Sequence, residues 1–97
     1  IHTDTWMDME FFKEGQVLPE FKQQYEERIS KFIPYQINAN LINTFAPKAK
    51  IMHCMACHIG YEITRDAIDH QNSVIFDQAE NRLHAQKAII LKLLNVI

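Results

Sequence analysis

Only two glycines and three prolines interrupt this 97-residue chain, and no extended run alternates apolar with polar residues. Tight β-turns lean on glycine and proline, so a β-rich fold would lack its usual turn chemistry. Apolar residues recur instead at helical spacing, as in a helix with one buried face. The predicted fold class is therefore all-α, a small bundle of four to five helices forming one domain over residues 1–97.

Punctuation places the segments. The first helix is expected over about 4–14, with Asp4 as a cap and Gly15 as its stop. Pro19 suits the first turn of a second, whose stripe of Phe21, Tyr25, Ile29 and Phe32 ends before Pro34. Tyr35, Asn38, Leu41, Ile42 and Phe45 mark a short third segment, closed by Pro47. The fourth is expected over about 48–69. The fifth runs over about 73–95, with Ser73 as its cap.

A domain of this size builds a limited core and gains from a metal, disulfide, cofactor or partner. The net charge of -2 and pI near 6.2 argue against a nucleic-acid binder. The most apolar stretch, "AIILKLLNVI", is too short to span a bilayer and Lys92 interrupts it, so no membrane span is expected. No secretory signal is visible, which fits a cytosolic chain or an exported one whose signal has been removed.

Both cysteines fall in "IMHCMACHIGYEI", residues 51–63. On the expected fourth helix, Cys54, Cys57, His58, Tyr61, Arg65 and Ile68 share one side. A redox C-x-x-C pair would need a βαβ setting. A zinc site would need a fourth ligand beyond Cys54, Cys57 and His58. Two buried cysteines together by chance remain the plain alternative. Cys54-Met55-Ala56-Cys57-His58 is also C-x-x-C-H, the attachment sequence for c-type haem. Two thiols on one helical face can each add to a porphyrin vinyl group, and the adjoining imidazole then ligates the iron. Covalent attachment places the chain in the periplasm or an equivalent compartment.

The motif resembles those of monohaem c-type cytochromes. The run "CMACHIGYEI" is locally similar to the haem helix of the cytochrome c prime group of helical-bundle cytochromes. The resemblance implies thioethers at Cys54 and Cys57, His58 as proximal ligand and Tyr61 against the ring. It also points to a thioether from the first helix, Met7 or Met9, as a distal group. Glu62 departs from that pattern, which has a basic residue there, and the haem helix here is not the last.

One haem c is thus the expected cofactor. Arg65, Lys48 and Lys50 are candidates to pair with its propionates, with a solvated face as the plain alternative. His84 is the best-placed distal histidine, because His53 lies on the same rod as His58, and His70 is about 18 Å along it. The expected function is electron transfer to a redox partner protein. The alternative is a gas-binding protein taking NO or CO at an open distal site, or a subunit of a larger redox complex. No acid–base constellation accompanies the motif, so no enzyme activity is expected. The apolar 89–94 stretch suits a homo- or hetero-dimer face.

Overall fold

A computed structural model describes residues 1–97, and it is mixed α/β rather than all-α. Four short strands are present: β1 (His2–Thr3), β2 (Phe12–Lys13), β3 (Gln16–Val17) and β4 (Met52–His53). They are joined by α1 (Lys22–Phe32), α2 (Ala39–Phe45), α3 (Arg65–Ile68) and α4 (Ile75–Leu93). No helix is long and apolar enough to cross a membrane.

The expected first helix is absent. Met9–Phe11 form one 3-10 turn, and the chain then folds into the β2–β3 hairpin, with Phe12 opposite Val17 and Lys13 opposite Gln16. Glu14 and Gly15 make the two-residue loop with φ of 53° and 78°. Positive φ at both central positions marks the turn type that matches strand twist. Gly15 is thus a hairpin residue rather than a helix stop.

Pro19–Phe21 form a 3-10 turn that leads into α1, as proline at a helix start allows. Asn38 caps α2, its side chain accepting the Leu41 N–H at 2.8 Å. These two helices and α4 lie where the helical spacing placed them.

The expected fourth helix, 48–69, is the main correction. Ile51 donates to the Asn72 carbonyl at 3.0 Å and accepts from Val74 at 3.0 Å, while Met52 donates to Ile1 at 2.8 Å. These partners are distant in sequence and take the place of the i−4 bonds of a helix. Two residues with positive φ, Met55 (54°) and Gly60 (92°), then exclude helical continuation. Only Arg65–Ile68 is helical.

β1 and β4 pair in parallel, His2 opposite Met52 and Thr3 opposite His53. α1 and α2 lie between them in sequence, as a parallel crossover requires. Single bridges extend this layer: Ile37 with Ile63, and Ile51 with Ser73. The core is Ile37, Ile42, Ile51, Ile63, Ala67, Ile68 and Ile75, with Leu41, Met55 and Cys57 packed on it.

α4 leaves this core after its first turn. Leu83, Ile90, Leu93 and Leu94 are all more than half exposed. The radius of gyration is 16.8 Å. A compact chain of this length has about 12–13 Å.

Candidate functional site

The parallel register of β1 and β4 creates the site. Thr3 sits opposite His53, so the next residues, Asp4 and Cys54, leave the strand pair side by side at its C-terminal ends. That edge is where ligands bind in parallel sheets. The Asp4 carboxylate and the Cys54 thiol lie within 4.8 Å of each other. The neighbouring thiol, with the Thr5 N–H at 2.7 Å, holds Asp4 below the usual carboxylate range. The carboxylate beside it, with some burial, pushes the Cys54 thiol up, opposed by the charge of Arg82. Near neutral pH the pair is a carboxylate and an uncharged thiol.

His53 and Glu62 are both fully buried beneath it. His53 Nδ1 accepts the Met55 N–H at 2.8 Å, which leaves the ring proton on Nε2 facing Glu62 Oε1 at 2.9 Å. The same Oε1 accepts the His58 N–H at 2.8 Å. From α4, Gln78 Oε1 accepts the His53 N–H at 3.0 Å. Glu62 Oε2 is buried with no partner.

An open cleft of about 610 Å³ lies against this corner, lined by Asp4, Thr5, Met7, Met9, Phe12, Gly15, Met55, Ala56 and His58. Its polar side chains are Asp4, Thr5 and His58. The His58 ring packs beside Phe12 (centroids 5.5 Å apart) and edge-on to Tyr61 (6.4 Å). Tyr25 donates to the Tyr61 hydroxyl at 2.9 Å. Burial, then that hydroxyl, push Tyr25 up to about 12, so it stays a neutral donor.

The residues expected to hold a haem do not share one face. Cys54 lies beside Asp4, Cys57 packs against the core, and His58 packs between Phe12 and Tyr61. Burial and the charge of Glu62 push the Cys57 thiol up. Arg65 is exposed and paired with Asp69 at 3.0 Å. His84 is exposed on α4, 3.4 Å from Glu80. Met7 is buried and Met9 is 91% exposed, and both line the cleft.

Asp4, His53 and Glu62 were missing from the expected site. Asp4 reads as a helix cap when the segment is taken as helical. His53 and Glu62 read as polar interruptions of a helix. The signal that would have found them is the alternation of buried Ile51 and His53 around Met52, a strand period with a polar residue facing inward.

Asp4, His53 and Cys54 also each offer a ligand atom within 4.8 Å of the others, as metal ligands would. Both His53 ring nitrogens are already engaged, Nδ1 by the Met55 N–H and Nε2 by Glu62.

The proximity of Asp4 to Cys54 has a direct readout. Asp4→Asn removes the charge that favours the protonated thiol, so the Cys54 pKa falls and more thiolate is present at pH 8. Alkylation of Cys54 by iodoacetamide, followed by mass spectrometry with half-buried Cys57 as reference, is expected to be several-fold faster. An unchanged rate would mean that Asp4 does not hold the thiol.

Comparison with known proteins agrees with this α/β geometry. The sequence model of the "Aspartate/ornithine carbamoyltransferase, Asp/Orn binding domain" family matches residues 1–93. The ornithine carbamoyltransferase of Chlorobaculum tepidum is 43% identical over 95 residues, covering 98% of this chain and 25% of that protein. That of Thermococcus kodakarensis is 47% identical over 90 residues, covering 93% and 25%. The solved ornithine carbamoyltransferase of Pyrococcus furiosus superposes with a TM-score of 0.73 at 42% identity, over 93% of this chain and 26% of that one. The anabolic enzyme of Campylobacter jejuni gives 0.72 at 29% identity, over 99% and 28%.

The chain therefore spans about a quarter of the length of the curated relatives it matches. These findings overturn the c-type cytochrome reading, its haem c cofactor, its electron-transfer and gas-binding functions, and the expectation of no enzyme. Those relatives are named as ornithine carbamoyltransferases. C-x-x-C-H occurs here on a strand end and a turn, where its spacing does not have the meaning it has on a helix. The periplasmic placement was argued from haem attachment alone and loses that argument. The chain belongs to the aspartate/ornithine carbamoyltransferase family, through its Asp/Orn binding domain.

Proposed function

We propose that the Asp4–Cys54 corner is the acceptor side of a carbamoyltransferase site, and that its acceptor is ornithine. One observation carries this reading: an anionic carboxylate and a neutral thiol lie within 4.8 Å of each other at the edge of a cleft walled by Met7, Met9 and Met55. A single negative charge beside an apolar wall suits an ammonium on a short methylene stem. It repels a second carboxylate, so it favours ornithine over aspartate. The names of the relatives support the same choice.

In carbamoyl transfer the amine nitrogen, once neutral, attacks the carbamoyl carbon. A C–N bond forms, the bond to the donor's leaving group breaks, and the proton lost by the amine is taken up by that departing group. Asp4 accepts an N–H of the amine and so turns its lone pair toward the carbon. The thiol of Cys54 fixes the direction of that carboxylate. Arg82, whose charge acts on Cys54, supplies positive potential for the carbonyl oxygen as negative charge develops on it. The remaining contacts to both substrates are assigned to the rest of a full-length protein.

The test is carbamoylation by the full-length protein with ornithine and with aspartate as acceptor. Ornithine is expected to be preferred by about 100-fold or more in kcat/KM, the size of a like-charge penalty of several kcal/mol. Equal use of the two, or preference for aspartate, would overturn this reading.

A further inference from the structure

Arg28, on α1, does not line the cleft, and the carbamoyl-transfer scheme above gives it no part. We propose that it is a positioning residue that sets the length of acceptor the cleft takes, by fixing the wall that carries Met7 and Met9. This inference rests on the reading of that cleft as the acceptor site.

The wall has little structure of its own. Between Asp4 and the β2–β3 hairpin its one regular element is the 3-10 turn Met9–Phe11. Arg28 reaches across from α1 and holds this segment at three points. Its Nη1 donates to the Trp6 carbonyl at 3.0 Å and to the Asp8 carboxylate at 3.1 Å. The guanidinium carbon lies 4.8 Å from the centre of the Phe11 ring. Trp6 and Asp8 alternate along the chain with Met7 and Met9, which line the cleft. One side chain therefore anchors alternate residues, and the backbone between them carries the two methionines.

Methionine is unbranched and flexible, and adapts its shape to what it touches. Two methionines define the size of a site only when their backbone is fixed, and Arg28 supplies that fixity. Global stability does not account for it. The Asp8 side chain is 60% exposed, and an ion pair in that setting adds little to stability. Lysine would supply the charge, but not the planar fork and flat face that engage carbonyl, carboxylate and ring together. As an acceptor, free lysine differs from ornithine by one further methylene. In an apolar pocket one methylene is worth about 10–200-fold in discrimination. A fixed wall rejects it, and a wall freed from Arg28 yields to it.

The test is Arg28→Lys in the full-length protein, assayed with ornithine and with lysine as acceptor, with folding checked by circular dichroism. The expected result is a KM for ornithine raised about 10-fold with kcat within about threefold of wild type, the pattern of lost uniform binding. The preference for ornithine over lysine in kcat/KM falls by about 10-fold or more. A purely structural role would leave a folded variant with wild-type KM and wild-type preference, or an equal loss of kcat/KM with both acceptors. Either result would overturn the proposal. If Arg28→Lys does not fold, Asp8→Asn is measured in its place. It removes the ion pair and leaves the Trp6 and Phe11 contacts, so smaller changes in the same direction are expected, and an unchanged KM and preference would overturn the proposal. A wild-type protein that does not prefer ornithine to aspartate would sink the acceptor-site reading, and this inference with it. A wild type that does, beside an Arg28→Lys variant with unchanged selection, would sink the role of Arg28 alone.

Discussion

Asp4→Asn in the full-length protein is expected to lower kcat/KM for ornithine carbamoylation by about 10²–10³-fold, as loss of one preorganised polar contact does. Asparagine keeps the size of the side chain and can still accept a hydrogen bond from an amine. It loses the charge that draws an ammonium into the cleft and holds the thiol in its protonated form. Asp4 is exposed and contributes little packing, so the variant should fold normally. The loss should appear in steady-state kinetics with no fall in the unfolding midpoint. A variant within threefold of wild type would remove Asp4 from the site.

Ile63→Ala is expected to have the largest effect on stability, about 2–5 kcal/mol, as for deletion of a buried isoleucine side chain. Ile63 is 0% exposed, belongs to the core cluster and bridges both Ile37 and Ile59. Its neighbour Glu62 holds the cleft loop, so a cavity here would loosen core and site together. Denaturant titration measures the change as a lower midpoint. A shift of under 1 kcal/mol would mean that the neighbouring side chains collapse into the space.

Helices were legible wherever the chain satisfies its own backbone. α1, α2 and α4 show their signals locally: Pro19 at a start, Asn38 as a cap and apolar spacing along one side. The strands were not legible because each is only two residues long, too short for alternation to register. β1 and β4 are strands because they have each other, about fifty positions apart in the chain. His53 hides the alternation further, since it is a polar residue on a buried position, where it pairs with Glu62.

The same limit governed the site. "HCMACH" carries a familiar spacing, and on a helix that spacing would set two thiols and an imidazole on one face. The backbone there is a strand end followed by a turn at Met55, and the three side chains separate toward Asp4, the core and an aromatic cluster. The sequence reading grouped Cys54 with Cys57 and His58, and the structure sets it beside Asp4.

Residue order alone was enough for three helices, because these depend on neighbours a few positions apart. The pairing of Asp4 with Cys54 and of His53 with Glu62 came from the fold. Hydrogen bonds between distant residues form only after the chain has brought them together, and no local spacing records that event.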